Sequence, residues 1–233
     1  MIKQLIFAAV LFGSVVRVSA QQTVFNVPTA DILDGGKVYF EIDMSFKIND
    51  QEALRKFSSF VPRVVIGAGK NVEVGVNLTG NVQPGTDTTT LVPSIKWRFY
   101  QNRKKDLVFF AGQNFYMPVR NRSYNFGSYT YIALSKTLNK TRLTAGGFVF
   151  SKHVVAPNAV RGGGQFAVEQ SITHRLTISA DWFTGKHANG YVTTGAAYKL
   201  TKKLTGIAAY SFGNSNLSKG NHYMYFELGY NFN

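Results

Sequence analysis

Residues 37–47, KVYFEIDMSFK, alternate without a break. Val38, Phe40, Ile42, Met44 and Phe46 fall on one side, and Lys37, Tyr39, Glu41, Asp43, Ser45 and Lys47 on the other. A period of two over this length predicts a β-strand with one apolar and one polar face. The pattern returns at 71–80, 90–100, 164–173, 175–184 and 222–232. In the last of these, Met224, Phe226, Leu228, Tyr230 and Phe232 oppose Tyr223, Tyr225, Glu227 and Asn231. Less clean alternation marks 60–68, 107–116, 128–136, 142–151, 191–200 and 203–212, and LVFFAGQNFY at 107–116 reads equally well in either register. The sum is about twelve strands, each near the ~9–11 residues that cross a membrane at a tilt.

The connections sharpen the reading. Those at 48–59, 79–90, 117–127, 151–163, 185–190 and 213–221 are mostly long and rich in Gly, Asn, Ser or Pro, whereas those at 69–71, 101–106, 136–141, 173–175 and 200–203 are short. Long and short alternate along the chain. A soluble sandwich has no reason to do this, but a membrane barrel has short turns on the periplasmic side and long loops outside. The expected fold is therefore all-β: a transmembrane antiparallel up-and-down β-barrel of about 12 strands over residues 37–233. An even strand number brings both termini to the short-turn side. Residues 21–36, with Pro28 and the turn-forming Asp34-Gly35-Gly36, form a periplasmic lead-in segment or a plug.

The N-terminus carries a different signal. Lys3 precedes the apolar run LIFAAVLFGSVV at 5–16, and Val18-Ser19-Ala20 supplies small residues at −3 and −1 of a cleavage site. Residues 1–20 are read as a secretory signal peptide and leave the fold argument. No later segment has the ~20 apolar residues of a membrane helix, so a mature chain that spans a bilayer must do so as a closed barrel.

Composition excludes several functions. The chain has no cysteine, which removes disulfides, thiol nucleophiles and cysteine–zinc sites. Only 16% of residues are charged and 14% are aromatic, which does not suit a disordered chain. A formal net charge of +14 raises nucleic acid as a partner, but an exported chain argues against it. Most of the excess lies in turns and loops, at Lys70, Arg103, Lys104, Lys105, Lys136, Lys140, Arg175, Lys202 and Lys203, and at Arg120, Arg122, Lys152, Arg161, Lys186 and Lys219. Such residues anchor a barrel at the headgroup level, and those in outer loops suit contact with anionic lipopolysaccharide.

The end of the chain, Gly229-Tyr230-Asn231-Phe232, resembles the C-terminal signature of bacterial outer-membrane β-barrel proteins, porins among them. Asn233 follows, so the aromatic is penultimate where that signature has it last. The resemblance implies a Gram-negative outer membrane and recognition by the barrel-assembly machinery through Gly229, Tyr230 and Phe232. Aromatics near strand ends, among them Trp97, Phe99, Tyr100, Phe115, Tyr116, Tyr129, Tyr131, Trp182, Phe183, Tyr210 and Phe212, are expected to form interfacial girdles.

Candidate functional residues share the polar parity. Glu41 and Asp43 lie two apart on one strand, a spacing that serves acid–base work or cation binding. Arg63, Glu73, Lys96, Arg98, Glu169, Asp181 and Glu227 are assigned the same inward side, so a lumen lined with charges of both signs accounts for the whole set. His187-Ala188-Asn189-Gly190 resembles part of the His-x-Ser-Asn-Gly pattern of outer-membrane lipid hydrolases, but Asn189 stands where the nucleophilic serine is needed. His153, His174 and His222 are scattered, which indicates no metal site. Gly67-Ala68-Gly69-Lys70 lacks the early glycine and the Ser/Thr of a phosphate loop and reads as a tight turn. The sequence thus predicts a narrow porin-like channel for passive diffusion of small hydrophilic solutes, with no cofactor and no catalytic constellation. The alternative is a non-conducting structural or adhesive barrel that acts through its outer loops.

Overall fold

The computed structural model describes residues 22–46, 58–79, 89–119, 126–155, 157–215 and 222–232. Residues 1–21, which include the expected signal peptide, and much of the long connections, at 47–57, 80–88, 120–125 and 216–221, lie outside them. The strands are β1 (Val38–Phe46), β2 (Ser58–Gly69), β3 (Val72–Thr79), β4 (Thr90–Asn102), β5 (Leu107–Pro118) and β6 (Gly127–Leu138), then β7 (Thr141–Phe150), β8 (Gly162–Ser171), β9 (Leu176–Phe183), β10 (Tyr191–Lys199), β11 (Leu204–Gly213) and β12 (His222–Asn231). Each stretch of alternation in the sequence is a strand, including the weak ones. Every strand pairs antiparallel with the next, and β12 pairs with β1 from Tyr39↔Asn231 to Phe46↔Met224, which closes the ring. Closure leaves no unpaired edge, as a lipid environment demands.

Turn chemistry sets the short end. Lys70 and Asn71, between β2 and β3, have φ of 51° and 65°. Two successive positive φ values are the mark of a two-residue type I′ hairpin, whose twist matches that of the strands. This is the tight turn read at Gly67–Lys70.

Strand alternation now acquires direction. Ile66, Val74, Ile95, Ile132, Val168, Ile178 and Leu228 stand exposed on the outside, while Tyr39, Glu41, Asp43, Glu73, Lys96 and Glu227 are buried inside. An apolar surface running round the whole ring is a lipid-facing surface, since soluble monomers expose only limited patches. Among the described residues, no helix is long and apolar enough to cross a membrane.

The aromatic girdle needs correction. Trp97, Phe99, Tyr100, Trp182 and Phe212 are exposed on the outside as expected. Tyr129, Tyr131 and Phe183 are buried instead and, with Phe148 and Phe150, fill the lumen. Tyr116 packs partly buried against the same cluster. Phe148 and Phe183 meet at 4.4 Å between ring centroids, Tyr129 and Phe150 at 5.1 Å. The register of β5 is settled by the same packing: Phe110 is fully buried, and Gly112 faces inward because the ring of Tyr131 lies where its Cβ would be. Gly229 makes the same room for Tyr39 from the neighbouring strand. Large rings seated on inward glycines fill a taper that two β-carbons would block.

Candidate functional site

Residues 22–33 lie inside the ring. The chain enters past the turn at Asp34–Lys37, where the Lys37 amide donates to Asp34 O at 3.0 Å and the Gly36 amide to Gly67 O at 2.8 Å. Within the lumen it folds back on itself. The Val24 amide donates to Val27 O at 2.8 Å, the Thr29 amide to Gln22 O at 3.0 Å, and Thr23 bridges Pro28 antiparallel. Val24, Val27 and Thr29 are wholly buried. This luminal hairpin is held from the barrel wall at three places.

At its tip, one carboxylate oxygen of Asp181 (β9) accepts from the amides of Phe25 at 3.0 Å, Asn26 at 2.6 Å and Val27 at 2.8 Å. Three convergent N–H groups make a small anion-holding concavity, and the carboxylate fills it. The Asn26 side chain also donates to Thr193 Oγ1 at 2.9 Å. Beside it, Thr193 and Ser211 exchange a hydrogen bond at 2.8 Å.

Midway, Glu73 (β3) accepts from the Leu33 amide at 2.9 Å and from Gln22 Nε2 at 3.4 Å. Its other oxygen pairs with Lys96 Nζ (β4) at 2.8 Å, and Lys96 also reaches Gln22 Oε1 at 3.0 Å. Glu73 and Lys96 face each other across the β3–β4 ladder, so the pair follows from register alone.

Towards the short turns, Arg142 (β7) holds Glu169 (β8) with Nε at 2.5 Å and Nη2 at 2.6 Å, and Asp31 of the hairpin with Nη1 at 2.8 Å. The fork of a guanidinium matches a carboxylate in this two-point manner. Arg142 and Asp31 were missed in the sequence. The signal was faint because the inward side of β7 also carries Phe148 and Phe150, which erases the polar–apolar contrast on that strand.

A fourth cluster sits at the β12–β1–β2 seam. Glu41, Asp43 and Glu227 bring carboxylate oxygens within 4.8 Å of one another. That arrangement would suit a hard cation. Here the guanidinium of Arg63 supplies the positive charge: it bonds Glu41 and lies 3.6 Å from Asp43. Arg63 Nε also donates to Asn77 at 2.9 Å. Glu227 accepts from Tyr225 at 2.8 Å and from Tyr39 at 3.3 Å.

The candidates from sequence therefore gather in pairs and triads rather than in one ring. Glu41, Asp43, Arg63 and Glu227 form one group, Glu73 and Lys96 another; Glu169 joins Arg142, and Asp181 binds the hairpin. Arg98 stands apart. A register shift between Arg98 and Tyr100 places it by the short turns, where its Nη2 donates to Asn71 at 2.7 Å. Among the described residues its guanidinium meets no carboxylate.

The two larger cavities described flank the hairpin. One of about 290 Å³ opens on the side of the long connections, near Ser45, Thr79 and Asn189, and Asp43, Arg63, Glu73 and Lys96 line it. The other, about 460 Å³, opens on the short-turn side and is lined by Arg142, Glu169, Lys199 and Glu227 among others. Asp43 and Glu227 are cross-strand partners, so one residue pair borders both spaces.

His187 is buried in the lumen against Phe148, Phe150 and Phe183. Its Nε2 lies 2.8 Å from Thr184 O, and its Nδ1 accepts from the Asn189 amide at 3.2 Å. Burial pushes the imidazole below its ordinary value. Both ring nitrogens serve the loop backbone, and the residue at the nucleophile position is Asn189.

A closed twelve-strand ring with an apolar outside and a charged, partly hollow inside defines an outer-membrane-type β-barrel of porin-like architecture. Solved structures agree at the level of fold. The KdgM porin in complex with disordered oligogalacturonate superposes with a TM-score of 0.56 at 8% identity, over 84% of this chain and 98% of its own. The NanC porin superposes with a TM-score of 0.57 at 9% identity, over 82% of this chain and 97% of its own. No family model and no curated protein sequence matches the chain.

Proposed function

We propose that the protein is a narrow porin-like channel of a bacterial outer membrane, passing small hydrophilic solutes by passive diffusion, with residues 22–33 as its constriction. The observation that carries this reading is the pair of polar, charge-lined cavities above and below the hairpin, with the cross-strand partners Asp43 and Glu227 bordering one each. In a lumen this narrow, fixed charges decide which solutes enter. In this reading the route to the membrane is export through a signal peptide cleaved after residue 20, then recognition of Gly229, Tyr230 and Phe232 by the assembly machinery. The cationic outer loops would meet lipopolysaccharide.

Single-channel conductance of the refolded mature protein in a planar bilayer tests it. Stable steps are expected, with ion selectivity that shifts in Asp43→Asn and Glu227→Gln. A folded barrel that never conducts would remove the channel reading. The second reading, a structural or adhesive barrel acting through its outer loops and without catalysis, would then stand. The aromatic cluster and hairpin that fill the middle of the lumen favour it.

A further inference from the structure

The short-turn end carries a surface that the lumen does not use. The turn between β4 and β5 holds three successive cations, Arg103-Lys104-Lys105, all exposed. Lys136 of β6 leans over the same turn, where its Nζ donates to Lys105 O at 2.6 Å and fixes a fourth charge beside the three. Among the described residues, none of the four is paired with a carboxylate. Asp106 is the one acid of this turn and cannot balance them.

Aromatic rings adjoin these charges on the outer wall. The register shift between Arg98 and Tyr100 interrupts the alternation of β4, as a bulge does, so Phe99 and Tyr100 are both exposed, next to an exposed Trp97. Trp97 meets Phe99 at 5.4 Å between ring centroids, and Phe109 of β5 meets Phe99 at 6.3 Å and Tyr100 at 5.7 Å. Asn102 ties this patch to the turn: its Nδ2 donates to Tyr100 OH at 3.4 Å, and its Oδ1 accepts from the Lys105 amide at 3.1 Å.

Rings on a lipid-facing wall, bordered by fixed cations, match an amphiphile with apolar chains and an anionic head. Aromatic side chains settle at the headgroup level of a bilayer, and a Lys or Arg held there attracts anionic lipid. Short turns mark the periplasmic end of a barrel, opposite the lipopolysaccharide, so the amphiphile is a phospholipid. We infer that the β4–β5 corner binds an anionic phospholipid of the periplasmic leaflet, its phosphate among Arg103, Lys104, Lys105 and Lys136 and its upper chains against the four rings. A zwitterionic lipid is held less well, because its own ammonium offsets its phosphate. Such binding is independent of whether the barrel conducts.

Trp97 can report on its own neighbour. The chain has two tryptophans, and Trp182 stands near the long connections, where its Nε1 donates to Asn214 Oδ1 at 3.1 Å. The whole mature chain carrying Trp182→Phe is refolded into phosphatidylcholine vesicles that contain brominated phosphatidylglycerol or, at the same fraction, brominated phosphatidylcholine. Bromine on the acyl chains quenches a ring in contact with them. Trp97 is expected to find the anionic lipid enriched at least about fivefold, the effect of a single cation held near a membrane surface. Arg103→Gln, Lys104→Gln and Lys105→Gln combined should bring this factor close to one. Salt at about 1 M should do the same with the turn unaltered, so the test does not depend on that variant folding. In the Trp97→Phe chain, where Trp182 reports, the two lipids should quench alike. Equal quenching of Trp97 by both lipids, a preference that survives loss of the three charges or high salt, or the same preference at Trp182 overturns the inference.

Discussion

Asp181 and Asn26, far apart in sequence, are joined twice in the lumen: the Asn26 amide reaches one carboxylate oxygen at 2.6 Å and its side-chain nitrogen the other at 3.5 Å. With the Phe25 and Val27 amides on the same group, this is the firmest hold the wall has on the hairpin tip. Asp181→Asn removes the charge and keeps the shape. Hydrogen bonds to a charged group contribute about 1.5–3 kcal/mol each. Exchange of the amides at 25–27 should quicken by about tenfold or more, read by hydrogen–deuterium exchange, and conductance should rise. Unchanged exchange would mean that the tip is held by packing alone.

Arg142 offers a stability test. Among the described residues it alone joins Asp31 to Glu169, and Arg142→Ala strands two carboxylates in the interior. Removing one partner of a buried ion pair costs about 3–5 kcal/mol. Urea unfolding in lipid vesicles should show a loss of that order. Arg142→Met combined with Asp31→Asn and Glu169→Gln should recover most of it, because no charge is then left unpaired.

The outer face makes the membrane claim measurable. Ile132 stands 56% exposed in mid-strand on β6. An arginine on the lipid face costs about 2–4 kcal/mol near the bilayer midplane. Ile132→Arg should lose that much in vesicles and little in detergent with a polar interface. Equal losses in both would argue that this face does not meet lipid.

His187 gives a pH dependence. Its imidazole is held below its ordinary value of 6.5 by burial, so the folded state resists the proton that the unfolded chain accepts. Stability is therefore full above pH 6.5. It falls as the pH drops below that value and levels off below the folded pKa. His187→Gln should abolish this part of the slope, as unfolding midpoints between pH 7.5 and pH 5 would reveal. An identical slope in the variant would assign it to other groups.

How much of this was legible depends on contrast between faces. In β1 every inward residue is polar or tyrosine and every outward one apolar, so the strand and its direction follow from KVYFEIDMSFK. In β5 and β6 the inward side holds Phe110, Tyr129 and Tyr131, as apolar as the lipid side, and alternation gives no direction. The girdle assignment failed at Tyr129, Tyr131 and Phe183 for the same reason. The hairpin has no period at all. Its partners Asp181, Glu73 and Arg142 are distant in sequence, so nothing local announces it. Arg98 departed from the charge clusters because β4 slips register beside it, and a bulge in a strand of mixed residues leaves no compositional trace.

The hairpin precedes β1, yet its ties run to β3, β7 and β9, while the ring is sealed by β1 against β12. Laying the strands around residues 22–33 before the seam joins would hold β3, β7 and β9 to one segment while the ring is still open. Closure across the longest loop in the sequence is the slowest kind of pairing. A segment already bound to three wall strands brings the first strand to where the last one ends, and so acts as a mandrel for the barrel.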